Sequence, residues 1–210
     1  MPKHTIPQTT IYRLSLYLRA LERLEKEGKE YISSFVLSVK TGISSHQIRR
    51  DLSYFGKFGK SRLGYRTNIL VKNIRKILGI DTHRWKVALI GAGNLGRALF
   101  SYRGFRERGF FIKAVFDADP RKIGKKLNGI KIENIKNLIN SAKEEKFDIA
   151  ILAVPADYAQ ETAEKAVKAG IKAILNFAPV RINLSSAIIL RNVDLSMELE
   201  NLSFHLSKLK

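Results

Sequence analysis

Three glycines and one aspartate carry the clearest chemical signal in the chain. Gly91, Gly93 and Gly96 have the G-x-G-x-x-G spacing, and Asp117 follows about 20 residues later. The first glycine of such a turn permits a tight bend, the second lets a pyrophosphate approach the backbone, and the third lets a helix pack closely on a strand. The pattern predicts a dinucleotide site whose contacts are Gly91, Ala92, Gly93, Asn94, Leu95, Gly96, Phe116 and Asp117.

The elements that must position these residues are present in the expected order. Residues 86–90 are apolar and favour a strand, residues 97–102 favour a helix, and residues 111–116 predict a second strand that ends at Asp117. The N-terminus of the helix then faces the phosphates, and the carboxylate lies near the adenosine ribose. A glycine turn in some other α/β domain is the alternative interpretation.

The residues after Asp117 bear on which dinucleotide is bound. An aspartate without an arginine directly after it suits a free 2′-hydroxyl, which indicates NADH or NAD⁺ rather than NADP. Arg121 and Lys122 keep NADP open as an alternative. Ile123 is a candidate contact to adenine, although an ordinary core position is an equal alternative.

Two later apolar runs extend the predicted sheet. Residues 147–155 and 172–179 each read as a buried strand followed by a turn, which is typical of a doubly wound parallel sheet. Ligands bind outside the carboxyl ends of such strands. The edge residues Ala153, Val154, Pro155, Asn176 and Phe177 are therefore predicted to line the same site.

The N-terminal part of the chain has a different character. The formal charge is +19, and residues 1–84 hold 17 Lys and Arg against six Asp and Glu, so a polyanionic partner is expected. A short helix, a turn at Gly42 and a polar, basic helix from Ser45 form a helix-turn-helix pattern, and residues 55–65 resemble the β-hairpin of a winged helix. Gln and Arg side chains pair with adenine and guanine, so Gln47 and Arg50 are candidates for reading bases. The predicted DNA-binding residues are Ser45, His46, Gln47, Arg49, Arg50, Ser53, Lys57, Lys60 and Arg62.

The predicted domain organisation follows from these patterns. Residues 1–80 form a winged-helix domain, residues 85–192 a Rossmann-like domain, and residues 193–210 a terminal helix. Leu195, Leu199, Leu202, Leu206 and Leu209 recur at spacings of four and three, a narrow apolar seam of the coiled-coil type. Such a seam packs either on its own domain or on a partner subunit, and the second is favoured.

The composition argues against several other functions. The chain has no cysteine and four scattered histidines, so thiol chemistry and a metal site are not expected. No apolar run approaches the length of a membrane span and no signal-peptide stretch is seen, which predicts a cytoplasmic protein. Few residues remain for a substrate domain, and no catalytic constellation is recognisable. A sensor is favoured over two alternatives, a small NAD-dependent reductase and a CoA-binding or other nucleotide-binding protein.

Several segments together resemble the Rex family of redox-sensing transcriptional repressors. They follow in order along nearly the whole chain, at residues 49–56, 59–65, 91–96, 116–117, 122–124, 154–155 and 175–179. The resemblance implies a homodimer whose C-terminal helix is swapped onto the partner, palindromic operator DNA as a ligand, release when NADH binds, and competition by NAD⁺.

The resemblance also implies specific polar contacts. Arg13, Tyr102 and Asp194 match the residues that join the DNA-binding domain, the nicotinamide pocket and the swapped helix in the family. Tyr102 is accordingly a further candidate for cofactor binding. The family often has an aromatic residue directly after the aspartate, and here Leu195 stands in that place.

Overall fold

The computed structural model describes residues 6–60 and 62–209. The chain divides into two compact units, Met1–His83 and Arg84–Lys210. We call them the N-terminal unit and the C-terminal unit. In the described part of the chain, no helix is both long and apolar enough to cross a membrane.

The N-terminal unit combines helices with a small antiparallel sheet. Its helices are α1 (Gln8–Lys26), α2 (Ser34–Thr41), α3 (Ser45–Ser53) and α4 (Thr67–Ile77), and its strands are β1 (Tyr31–Ile32), β2 (Gly59–Lys60) and β3 (Gly64–Arg66). The strand order is β1-β3-β2. Apolar residues at helical spacing on α1, among them Leu14, Leu18 and Leu21, are fully buried and form the core.

Local hydrogen bonds define the helix-turn-helix. Ser33 and Ser44 accept the backbone N–H groups of Val36 and Gln47, so each caps the helix that follows it. Between the two helices Gly42 has a φ of 70°, a left-handed conformation that suits glycine at the end of a helix. The antiparallel pair β2 and β3 is the wing. The predicted winged helix-turn-helix is therefore confirmed.

The C-terminal unit is built on a sheet of seven strands within its described residues. The strands are β4 (Trp85–Ile90), β5 (Phe110–Asp117), β6 (Lys126–Leu127), β7 (Ile130–Asn134), β8 (Ile149–Leu152), β9 (Ala173–Asn176) and β10 (Ile189–Asn192). Their order is β10-β9-β8-β4-β5-β7-β6, and all neighbours are parallel except β6 and β7. Without β6 this is the strand order of a doubly wound dinucleotide-binding sheet. The predicted fold class is confirmed.

Helices follow the strands of this unit. They are α5 (Asn94–Ser101), α6 (Arg103–Glu107), a short 3-10 helix (Ile135–Asn137), α7 (Leu138–Glu145), α8 (Ala156–Lys168) and α9 (Leu195–Ser207). The core on one face of the sheet contains Phe116 and Phe147, packed edge to face, together with apolar residues of α7 and α8. The core on the other face contains Val87, Leu89 and Val115, with residues of α5 and α6 against it. The sheet is thereby fixed as the rigid base of the site.

Some boundaries differ from those expected from sequence. Helix α5 begins at Asn94 rather than near residue 97, so its first turn directly follows Gly93. The hairpin of β6 and β7 was not predicted. Its turn is Asn128-Gly129, with φ values of 43° and 91°, which matches a tight type I′ hairpin turn.

Candidate functional site

The glycine turn of the C-terminal unit lies where β4 ends and α5 begins. Gly91 has a φ of 103°, and a Cβ atom there would overlap the carbonyl oxygen of Ala153. A Cβ on Gly96 would overlap the carbonyl oxygen of Gly91. Gly93, by contrast, has open space around it. Two of the glycines are thus required by packing, and the third leaves the backbone accessible to a ligand.

A crevice of about 850 Å³ opens at this turn, along the carboxyl ends of β4, β5, β8 and β9. Of the predicted contacts, the crevice is lined by Gly91, Gly93, Asn94, Leu95, Asp117, Ala153, Val154, Pro155 and Phe177. Its wall is mostly apolar, with a few convergent charged groups, as in other small-molecule sites. The size and lining suit an extended nucleotide.

The remaining predicted contacts lie outside the crevice lining. Phe116 and Asn176 are fully buried, and the amide of Asn176 bonds to Ala178 and Asn192 within the fold. Ala92 is also buried, Gly96 packs against Gly91, and Ile123 lies beyond the lining. The first four of these residues are buried or tightly packed behind the crevice, and Ile123 is half-buried outside its lining.

Tyr102 is a separate case. It ends α5, is largely exposed, and contacts the ring of Phe105 edge to face at 5.1 Å. It lines a different cavity, of about 440 Å³, together with Arg103, Arg106 and Lys113. One copy of the C-terminal unit therefore does not bring Tyr102 to the glycine turn.

The carboxylate of Asp117 is held at the end of β5. Its Oδ2 accepts the N–H of Ala92 at 2.7 Å and the ammonium of Lys122 at 3.0 Å, and its Oδ1 accepts the N–H of Asp119 at 2.8 Å. Burial alone would raise the pKa of Asp117, but these hydrogen bonds outweigh it, so the pKa lies below its usual value. Asp117 is therefore ionised at neutral pH and can accept hydrogen bonds from a ribose.

The crevice is also lined by residues that were not predicted as cofactor contacts, although Arg121 and Lys122 among them were considered in the choice between NAD and NADP. Its additional residues come from the ends of β4 and β5, from the turn after β5, from the 3-10 helix, from α8 and from the segment after β9, and they are Ile90, Ala118, Asp119, Arg121, Lys122, Ile135, Tyr158, Glu161, Thr162, Lys165 and Pro179. Tyr158, Glu161, Thr162 and Lys165 share one face of α8 at helical spacing. That spacing could have indicated that this face of α8 lines the crevice. It was not used, because a polar face of a helix is more often simply exposed to solvent.

The N-terminal unit holds the second candidate site, a nucleic-acid interface on α3 and the wing. Arg50 and His46 are exposed on α3, and Lys57, Lys60 and Arg62 are exposed in and near the wing. Arg62 has a φ of 64°, the left-handed conformation, in the turn between β2 and β3. These side chains form a basic surface that suits a phosphate backbone.

Other predicted DNA contacts are engaged inside the unit. Arg49 Nη1 donates to Ser34 Oγ at 2.9 Å, and Ser45 Oγ donates to the carbonyl of Ser34 at 3.2 Å. Ser53 Oγ donates to the carbonyl of Arg50 at 2.7 Å. The bonds to Ser34 join α3 to α2, whereas the bond of Ser53 lies within α3, and the side chain of Arg50 is exposed.

A buried carboxylate organises this interface. Asp51 on α3 is fully buried and accepts hydrogen bonds from Arg13, Tyr17, Thr10 and Gln47. Burial alone would raise the pKa of Asp51, but the four partners lower it to about 2. Arg13 was predicted to couple the two sites and Gln47 was predicted to read bases. Asp51, to which both are bonded, was not predicted as their shared partner.

Asp194 and the leucine seam lie at the end of the C-terminal unit. Asp194 caps α9 by accepting the N–H and the hydroxyl of Ser196, at 2.9 and 2.6 Å. The seam residues Leu195, Leu199, Leu202, Leu206 and Leu209 are all exposed, and no described residue of α9 is buried. The seam is therefore not covered by the described residues of its own chain.

Family models match the N-terminal unit and the C-terminal unit separately. The family model of a putative DNA-binding protein N-terminus matches residues 5–53, and that of a CoA-binding domain matches residues 82–180. A crystal structure of RSP in complex with β-NAD⁺ and operator DNA has a TM-score of 0.93 and 41% identity, over 98% of this chain and 94% of that one. RSP in complex with β-NADH has a TM-score of 0.88 and 40% identity, over 99% and 100% of the chains.

A winged helix joined to a dinucleotide-type sheet defines a DNA-binding regulator with a nucleotide site. Redox-sensing transcriptional repressors Rex are 47% identical in Carboxydothermus hydrogenoformans, over 97% of both chains, and 48% identical in Desulfitobacterium hafniense, over 95% of both. This chain belongs to the Rex family of redox-sensing transcriptional repressors. The regulatory role of these relatives confirms the prediction of a sensor rather than an enzyme.

Proposed function

We propose that this protein represses transcription as a homodimer that binds palindromic operator DNA and releases it when NADH occupies the crevice of the C-terminal unit. The observation that carries the nucleotide part is the ionised Asp117 at the end of β5, beside the open backbone of Gly93. Relatives support the choice of ligand, because RSP forms complexes with β-NADH and with β-NAD⁺ and operator DNA.

The DNA part rests on the N-terminal unit. Helix α3 enters the major groove with Arg50 toward base edges, while Lys57, Lys60 and Arg62 contact phosphates near the wing. A dimer presents two such helices, and their half-sites must lie about 34–36 Å apart, or a multiple of that distance, to meet successive major grooves. An operator with two-fold symmetry follows from that geometry.

The dimer rests on α9. The exposed leucine seam pairs with a second copy of the chain, because a continuous apolar stripe in water is unfavourable unless it is covered. Arg13, Tyr102 and Asp194 are proposed to couple the nucleotide to DNA within that dimer. A DNA-binding regulator of this kind works in the cytoplasm.

The redox signal is a change of charge. NADH carries a neutral nicotinamide ring, whereas the ring of NAD⁺ is positively charged and planar. If NADH lowers the affinity for DNA by some factor, DNA lowers the affinity for NADH by the same factor. The proposal requires the dimer to have a form that binds DNA and a form that does not. A ligand with equal affinity for both forms would not shift the equilibrium between them.

An operator titration tests the proposal directly. The purified protein is titrated onto a labelled palindromic operator without nucleotide, with NADH, with NAD⁺ and with CoA. We expect NADH to release the DNA, NAD⁺ to oppose NADH, and CoA to have no effect. Equal DNA affinity with and without NADH would refute the proposal. Release by CoA instead would assign the crevice to that nucleotide.

A further inference from the structure

The carboxylate of Asp117 already accepts three hydrogen bonds from groups of its own chain. An ionised carboxylate offers about four acceptor positions on its two oxygens. Here Oδ2 accepts from both Ala92 and Lys122, while Oδ1 accepts from Asp119. One position, on Oδ1, remains, but the two hydroxyls of a ribose would need two if both donated to Asp117.

Lys122 supplies the missing capacity. Its ammonium has three donors, and one of them is used by Asp117 at 3.0 Å. The side chain is about one third exposed and lines the crevice. We propose that Asp117 and Lys122 together read the adenosine ribose, one hydroxyl donating to Asp117 and the other accepting from Lys122, and that Lys122 sets the discrimination between NADH and NADPH.

The electrostatics give the direction of that discrimination. An isolated carboxylate at this place repels a 2′-phosphate, whereas a lysine beside it attracts one. The other nearby cation, Arg121, is turned to Asp119 in a solvent-exposed pair and does not contact Asp117. Lys122 is therefore the cation in direct contact with the Asp117 carboxylate, and we assign the tolerance of this site for a 2′-phosphate to it.

The position of Asp117 does not depend on Lys122. Two backbone N–H groups, of Ala92 and Asp119, hold one carboxylate oxygen each. Removing the lysine leaves these bonds intact and returns an acceptor position on Oδ2 to the ribose. NADH can then donate both hydroxyls to Asp117, but a 2′-phosphate only accepts hydrogen bonds and gains nothing.

The test compares K122M, K122R and the matched control K125M. Lys125 lies three residues away, is exposed and does not line the crevice, so its substitution changes the net charge equally. Each protein is titrated calorimetrically with NADH and with NADPH. Thermal unfolding of each variant confirms that it is folded.

We expect K122M to weaken NADPH binding by about tenfold or more, as for the loss of a charged hydrogen bond, and NADH binding by less than about threefold. K122R should retain the NADPH affinity, and K125M should bind both nucleotides like the wild type. An unchanged ratio of the two affinities in K122M would overturn the inference. This inference rests on the proposed function, and a wild-type protein that bound neither nucleotide would refute both, whereas normal NADH binding with an unchanged ratio would refute the inference alone.

Discussion

Arg13 and Asp51 form a bidentate ion pair that joins α1 to the recognition helix α3. Arg13 Nε lies 2.6 Å from Asp51 Oδ2, and Arg13 Nη2 lies 2.8 Å from Asp51 Oδ1. The Asp51 side chain is fully buried, and the Arg13 side chain is 23% exposed. Arg13, the proposed coupling residue, is thus already bound to α3, the helix that is proposed to read DNA. An anion that drew Arg13 away would leave the buried charge of Asp51 without its cationic partner, held only by neutral donors, which is costly.

Replacing Arg13 should therefore lower both the stability of the N-terminal unit and its affinity for DNA. In R13M the Asp51 charge loses its strongest partner, and we expect the free energy of unfolding to fall by about 3 kcal/mol. Operator affinity should fall with it, because α3 is no longer held. Because Arg13 is proposed to couple the two sites, NADH should also release the DNA that R13M still binds less effectively than it releases DNA from the wild type.

Arg19 on the same helix is the control for Arg13. It is exposed, and R19M removes an equal charge without touching Asp51. Urea unfolding followed by far-UV circular dichroism measures the difference. Equal stability of R13M and R19M would mean that the buried ion pair contributes nothing measurable.

Acid should weaken the same network. The pKa of Asp51 is about 2 in the folded protein, below its ordinary value of 3.8. The stability that the ionised group contributes is therefore present above about pH 4 and is lost as the pH falls toward 2. The loss should be about 2 kcal/mol. Urea unfolding between pH 6 and pH 2.5 measures it, and D51N should show a shallower pH dependence than the wild type. Parallel curves for the two proteins would contradict this assignment.

Two glycines of the turn, Gly91 and Gly93, should respond differently to alanine. G91A places a Cβ against the Ala153 carbonyl at a φ of 103°, so it should destabilise the C-terminal unit by more than about 2 kcal/mol. G93A meets open space and should leave the stability within about 0.5 kcal/mol of the wild type. Its NADH affinity should nevertheless fall about tenfold or more, because the Cβ occupies the approach of the pyrophosphate. Full NADH affinity in G93A would place the ligand elsewhere.

Arg50 should carry more sequence specificity than its neighbours on α3. It is exposed, whereas Arg49 bonds to Ser34 and Gln47 bonds to Asp51. R50A should weaken operator binding by about 1–3 kcal/mol and relax the preference at one base pair of each half-site. K72A, which removes an exposed lysine from α4, is the control. A uniform loss of affinity across all sequences would show that Arg50 contacts phosphate instead.

The local motifs were predictable because their geometry lies in short stretches of sequence. The G-x-G-x-x-G turn and Asp117 are placed by a strand, a turn, a helix and a second strand that follow one another in the chain. The apolar pattern of the strands and the helix is recognisable in the sequence. The serine caps of α2 and α3 are equally local. The hairpin of β6 and β7 was missed, although Asn128-Gly129 is its usual turn signal.

Partners that are distant in sequence could not be predicted in the same way. Asp51 meets Arg13 and Tyr17 from 38 and 34 residues away, and only the packing of α1 on α3 brings them together. Lys122, five residues after Asp117, was considered only as a residue that kept NADP open, and its bond to Asp117 was not predicted because it depends on the turn after β5. Only the bond from Gln47 to Asp51, four residues apart on one helix, was within reach of the sequence.

The leucine seam of α9 yields the last prediction. Leu202 is 58% exposed near the middle of the helix, so L202D should not disturb the core of its own unit. In a dimer it would bury an unpaired charge, which costs several kcal/mol, and the protein should become monomeric. Operator affinity should fall steeply because the two half-sites are no longer bound together. NADH should still bind if the crevice of one chain is sufficient, and NADH binding should be lost if the partner completes the site.

The control for L202D is E200A, an exposed change on the same helix, which should remain dimeric by analytical ultracentrifugation. A dimeric L202D protein with full operator affinity would move the interface away from the seam.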